Sequence, residues 1–129
     1  MSAEIKSMKI LVADDDAMVA RCFSECIRQL GHVCDVVHDG NTCFVRLDES
    51  PYDVLFADLI MPGKSIFELL EGIRRKGLGT RVVAVSAQDD PMDIQEILRR
   101  GATAYLIKPV AVDVLEHTLG RLAGLPQAG

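Results

Sequence analysis

The sequence predicts an α/β protein built on one doubly wound, five-stranded parallel sheet. Three observations predict it. Five short apolar runs rich in Val, Ile and Leu alternate with five segments whose apolar residues recur at helical spacing. The connections are short and carry turn residues such as Pro62-Gly63. Four of the five runs end in a charged or hydroxyl residue, at the rim where such sheets collect their functional groups.

The elements follow in order. "MKILVA" (8–13) is the first strand, and Asp16 after it is placed to cap a helix. In that helix Val19, Cys22, Phe23, Cys26, Ile27 and Leu30 form an apolar stripe, closed by Gly31 as C-cap. "HVCDVV" (32–37) is a strand of mixed polarity, which suits a position near the sheet edge. Gly40 to Leu47 is a short helix with Cys43, Phe44 and Leu47 inward, and "SPYD" breaks the chain after it. The apolar run of "DVLFADLIMPG" (53–63) is a buried strand with Asp58 at its end. A carboxylate there is costly unless something pairs with it. Either it caps the turn or it is functional.

Ile66, Leu69, Leu70 and Ile73 give the next helical face, followed by a loop at 76–80. "RVVAVS" (81–86) is the fourth strand. Asp90-Pro91 starts a helix, with Asp as N-cap and Pro at the first helical position, and Ile94, Ile97 and Leu98 as its buried face. Gly101 closes it. "AYLI" (104–107) is the fifth strand, and Val112, Leu115, Leu119 and Leu122 mark the last helix, in which Gly120 weakens the end. The tail "GLPQAG" is expected to be loose.

The 129 residues suit a single domain with a core over about 8–123 and short loose termini. No repeat, linker or second domain is visible, and no effector domain is expected after the last helix. The chain is either a stand-alone protein or the N-terminal piece of a longer regulator. No apolar stretch approaches a membrane span, and the N-terminus has no apolar signal region, so a cytoplasmic location is expected. The net charge of −5 argues against nucleic-acid binding. Cys22, Cys26, Cys34 and Cys43 form no CxxC and are expected to be small core hydrophobes. His32, His38 and His117 lack ligand spacing.

The strand ends carry the chemistry. Asp14, Asp15 and Asp16 follow the first strand, Asp58 the third, Ser86 the fourth and Lys108 the fifth. Each alone has a commonplace reading as a cap, a strand-end hydrogen bonder or a surface charge. Together they make a coherent set. Clustered carboxylates suit a hard cation such as Mg²⁺ or Mn²⁺. Such a cation neutralises phosphoryl oxygens, Lys108 adds a second positive charge, and an Asp can act as nucleophile to give an aspartyl phosphate.

At these residues the sequence resembles the receiver domain of two-component response regulators. The segments "ILVADDD", "DVLFADLIMPG", "VVAVSA" and "GATAYLIKPV" carry the resemblance in order, from about Met8 to Ala123. It implies a flavodoxin-like (βα)5 fold with strand order 2-1-3-4-5. It implies that Asp58 is the phosphoacceptor, supplied by a phosphohistidine on a histidine kinase or histidine phosphotransfer protein. Asp14, Asp15, Asp58 and the backbone carbonyl of Ile60 are then expected at the metal, with Asp15 a direct ligand and Asp14 acting largely through water. Lys108 is expected to pair with Asp58, Ser86 to be the switch hydroxyl, Tyr105 the switch aromatic, and Lys108-Pro109 a cis peptide. Phosphorylation is expected to alter the face of the fourth helix, fifth strand and fifth helix, where a downstream effector or a second copy binds. No membrane contact is implied. The expected activity is that of a signalling switch that assists its own phosphorylation and dephosphorylation, not of an enzyme.

The family often has Met-Asp-Gly after the turn, whereas this chain has Lys64, Ser65 and Ile66. Ile66 tolerates positive φ badly, so the chain must reach the helix by another path, with Ser65 as N-cap. Ile60 and Gln88 each lie two residues past a key residue. An apolar Ile60 cannot orient water, so slow self-dephosphorylation is expected. Two alternatives remain. "DDDAM" (14–18) nearly fits an aspartyl-phosphate phosphohydrolase with Asp14 and Asp16 in the roles, but Met18 breaks that pattern and Asp58 is left without a role. A phosphorylation-silent receiver acting as a binding module is the other.

Overall fold

The computed structural model describes residues 7–124. The chain alternates β1 (Lys9–Ala13), α1 (Ala17–Gln29), β2 (Val33–Val37), α2 (Gly40–Glu49), β3 (Val54–Asp58), α3 (Ile66–Lys76), β4 (Arg81–Ser86), α4 (Pro91–Arg99), β5 (Ala104–Ile107) and α5 (Val112–Ala123). The strands form one sheet in the order β2-β1-β3-β4-β5, all pairs parallel. The mixed-polarity β2 is an edge strand, and β3 lies at the centre with every residue buried. The expected loose tail from Leu125 onward lies outside the described residues.

Successive side chains of a strand point to opposite faces, so the sheet separates two cores. Leu55 and Ala57 of β3 join Leu11, Val82 and Ala84 beneath α2, α3 and α4, contacted by Cys43, Leu69 and Ile97. Val54 and Phe56 join Ile10, Val12 and Val83 beneath α1 and α5, contacted by Ile27, Leu115 and Leu119. A parallel sheet covered on both faces needs these continuous apolar runs.

Capping follows the local sequence. Asp16 Oδ1 accepts from the N–H groups of Met18 and Val19 at 3.1 Å each. Asp90 caps α4 ahead of Pro91. Ser65 caps α3 in a reciprocal capping box with Glu68, so the chain enters this helix with no non-Gly residue at positive φ.

Several helix faces differ from the periodic expectation. The buried side of α1 is Ala20, Ser24 and Ile27. Ser24 can sit in the core because its hydroxyl donates to the Arg21 carbonyl at 3.0 Å. That rotation leaves Cys22 exposed and Cys26 half-buried, while Cys34 and Cys43 are core residues as expected. Leu98 and Val112 are exposed too, because only Ile97 of α4 reaches the core fully and α5 buries Leu115, Leu119 and Leu122. Leu30 is the C-cap of α1, and Gly31 follows it at φ +97°.

Candidate functional site

The ends of β1, β3, β4 and β5 meet at one rim of the sheet. Asp14 and Asp58 are buried there despite their charge, and Asp15 is exposed. One carboxylate oxygen from each of these three residues lies within 4.8 Å of the others. The Lys108 ammonium at the end of β5 donates to Asp14 Oδ2 and Asp58 Oδ2, at 2.9 Å in both cases. Burial works against the Lys108 charge, but the hydrogen bonds and charges of the two carboxylates outweigh it and hold its pKa above the ordinary Lys value. The buried charges are thereby paired, which is the condition for keeping them there.

Backbone groups occupy the remaining oxygens. Asp16 N–H donates to Asp14 Oδ1 at 2.9 Å, and Ile60 N–H donates to Asp58 Oδ1 at 3.1 Å. Asp14 is therefore engaged at both oxygens, whereas Asp15 has no hydrogen-bond or ion-pair partner among the described residues. His38, at the end of β2, donates through Nδ1 to the Asp14 carbonyl at 3.0 Å. The donor set is all oxygen and anionic, so it fits a hard divalent cation such as Mg²⁺.

Ser86 is buried at the end of β4, and its Oγ accepts from Gln88 N–H at 3.1 Å rather than bonding to Asp58. Tyr105 lies apart from the acidic cluster. It is half-buried, and its hydroxyl donates to the Gln88 carbonyl at 2.8 Å. The Lys108–Pro109 peptide is cis. The sequence places all these groups on one rim but does not disclose Asp14 as a second partner of Lys108, nor the contacts of Gln88 and His38. Those are bonds to backbone or between distant positions, and no residue type encodes them.

The β3–α3 connection is pinned to α2. Gly40 N–H donates to the Pro62 carbonyl at 2.8 Å, and Lys64 N–H donates to Asn41 Oδ1 at 3.2 Å. The Lys64 backbone lies so close that a Cβ on Gly40 would stand 1.9 Å from its carbonyl oxygen.

Over residues 10–120 the sequence matches the response regulator receiver domain family. The chain belongs to this family. The receiver domain is 31% identical over 115 residues to the two-component response regulator PhoP of Pseudomonas aeruginosa, covering 89% of this chain and 51% of that protein. It is 34% identical over 112 residues to the sensor histidine kinase RcsC of Salmonella typhimurium, covering 87% of this chain and 12% of that protein. The chain thus spans about half of the first of these relatives and about an eighth of the second. Among solved structures, the receiver domain of the Francisella response regulator 1452 superposes with a TM-score of 0.85 at 31% identity, covering 91% of this chain and 97% of that one. The sheet order and the alternation of five strands with five helices are those the resemblance implies. No helix among the described residues is long and apolar enough to cross a membrane.

Proposed function

We propose that this receiver domain is a phosphorylatable switch of a two-component or phosphorelay system, with Asp58 as phosphoacceptor. The observation that carries this reading is the Lys108 ammonium held 2.9 Å from both Asp14 Oδ2 and Asp58 Oδ2 at the edge of a three-carboxylate cluster. The donor is a phosphohistidine on a histidine kinase or histidine phosphotransfer protein, in keeping with the names of the relatives.

An Asp58 carboxylate oxygen forms the new bond to phosphorus. The phosphorus–nitrogen bond of the donor breaks, and its electron pair returns to the imidazole. Lys108 stays protonated and transfers its hydrogen bond from Asp58 to a phosphoryl oxygen. Mg²⁺ or Mn²⁺, when bound, neutralises charge on the phosphoryl oxygens. Asp15, Asp58 and the Ile60 carbonyl would hold the cation directly. Asp14 would act largely through water.

Ser86 then donates to the phosphoryl group. That turns it away from Gln88, and Tyr105 responds through the same residue. The altered face comprises α4, β5 and α5, where an effector or a second copy docks. On this reading residues 1–129 form one domain that works in the cytoplasm, binds neither nucleic acid nor membrane, and assists its own phosphorylation and dephosphorylation. The phosphohydrolase alternative fits less well, because Asp16 spends Oδ1 capping α1. A phosphorylation-silent receiver leaves the cluster of Asp14, Asp15 and Asp58 without a role.

Incubation with acetyl phosphate and Mg²⁺ tests the proposal. The wild-type chain takes up one phosphoryl group and Asp58→Asn takes up none. Equal labelling of the variant would contradict it.

A further inference from the structure

We propose that α1 carries a second metal site, of the opposite chemical class, in which Met18, Cys22 and Cys26 bind a soft thiophilic ion, Cu(I). The three sulfur residues stand at i, i+4 and i+8, on successive turns of one helix. Residues four apart on a helix are neighbours, with Cβ atoms about 5–6 Å apart. Each step of four residues drifts by only about 40° around the axis, so the three share one side.

That side runs from the surface at Met18 to the margin of the core at Cys26. The core-facing residues of α1 are Ala20, Ser24 and Ile27, which leaves Met18 75% exposed, Cys22 exposed and Cys26 half-buried. All three sulfur residues line a single groove of about 690 Å³ between α1 and the start of α5, walled by apolar side chains such as Phe23, Val112 and Leu115. Cys34 and Cys43, by contrast, are enclosed in the core, where burial pushes their thiols up to about 11 and about 12. The protein therefore separates its cysteines into two core residues and a pair on adjacent turns, of which Cys22 is exposed and Cys26 half-buried.

The ligand chemistry selects the ion. Thiolate and thioether donors favour Cu(I), while carboxylates and carbonyls favour Mg²⁺. No carboxylate lines the groove, and its one charged residue, Lys108, spends its ammonium on Asp14 and Asp58. Two cysteines and one methionine make a three-donor set, whereas structural Zn²⁺ takes four ligands of the Cys, His or carboxylate type. A metal–sulfur distance of about 2.3 Å brings the two cysteine sulfurs within about 4.6 Å of each other, a span that neighbouring turns can supply through side-chain rotation. On binding, Cys22 and Cys26 each form a sulfur–copper bond and release a proton to solvent. Met18 contributes a lone pair, and neither copper nor sulfur changes oxidation state.

The test is anaerobic titration of the full chain with Cu(I) in competition with the chromogenic chelator bathocuproine disulfonate. The wild-type protein retains one Cu(I) per chain with proton release. Cys22→Ser and Cys26→Ser each abolish retention, and Met18→Leu weakens it. Met18 and Cys22 are exposed and Cys26 is half-buried against the core, and far-UV circular dichroism verifies that the variants keep the wild-type fold. Failure of the wild-type chain to hold Cu(I), or undiminished retention by the Cys22→Ser/Cys26→Ser double variant, would overturn the assignment. So would preferential retention of Zn²⁺ in a parallel competition.

Discussion

The Tyr105 hydroxyl donates to the carbonyl of Gln88 at 2.8 Å, and the N–H of the same Gln88 donates to Ser86 Oγ at 3.1 Å. One residue of the β4–α4 loop, Gln88, thus joins the two proposed switch residues through its N–H and its carbonyl. Removing either side chain should loosen the loop without removing a proposed catalytic carboxylate. Tyr105→Phe is expected to raise amide hydrogen exchange around Gln88 to Asp90 and to leave phosphoryl uptake intact. Ser86→Ala deprives the Gln88 N–H of its partner, at a cost of about 1 kcal/mol in unfolding free energy. Unchanged exchange in both variants would show that the link does not hold the loop.

Lys108 offsets two carboxylates that are otherwise buried side by side. Lys108→Met leaves Asp14 and Asp58 with their mutual repulsion. A loss on the order of 1–3 kcal/mol is expected at neutral pH without metal. Adding Mg²⁺ should then raise the melting temperature of the variant more than that of wild type, because the cation replaces the missing charge. Thermal unfolding with and without Mg²⁺ reads this directly.

Gly40 is required by the close approach of Lys64, not by a turn. Gly40→Ala puts a methyl group against the Lys64 carbonyl and strains the clasp between α2 and the loop after Asp58. Overpacking of this kind costs about 1–3 kcal/mol. Denaturant unfolding measures the loss, and the slope of the transition should stay that of wild type.

Ile60 is 65% exposed beside Asp58, and its apolar side chain has no group with which to orient an attacking water. Its backbone N–H, not its side chain, is what touches the carboxylate. A slow loss of the phosphoryl group is therefore expected in wild type, and Ile60→Asn should shorten the lifetime of the phosphorylated form. A pulse of label followed over time decides it. An unchanged lifetime in the variant removes the side chain from the account.

His32 lies at the opposite end of the sheet from Asp58. Its Nδ1 accepts from the Met8 N–H at 3.0 Å, an arrangement that needs the neutral ring. Burial lowers its pKa from the ordinary value of 6.5. The unfolded chain therefore binds a proton more readily than the folded one, and stability falls as pH drops through 6.5 toward the lower folded value. His32→Gln, which can keep an acceptor there, should flatten this part of the profile. Chemical denaturation between pH 7.5 and about 5 measures the slope.

The alternation of elements was legible because buried parallel strands and amphipathic helices leave different periods in the sequence. The positions of Asp14, Asp15, Asp58 and Lys108 were legible because strand ends share one rim. The orientation of α1 was legible in part. Of its stripe, Ile27 is buried and Phe23, Cys26 and Leu30 pack against the same core, whereas Val19 and Cys22 are exposed, because Ser24, whose hydroxyl bonds to the Arg21 carbonyl, shares the buried face. Val112 and Leu98 misled for a related reason, since an apolar residue at a helix margin carries no mark of which side it meets. The path after Pro62-Gly63 was partly legible, because Ser65 and Glu68 have capping-box spacing, whereas the fit of Lys64 against Gly40 depends on tertiary approach.

Asp58 is the residue proposed to form the acyl phosphate. Treating the acetyl phosphate-labelled protein with borohydride reduces an acyl phosphate to an alcohol, and peptide mass spectrometry then locates the converted residue. Homoserine is expected at position 58 alone, dependent on Mg²⁺. Conversion at Asp14, Asp15 or Asp16, or at no aspartate, would contradict it.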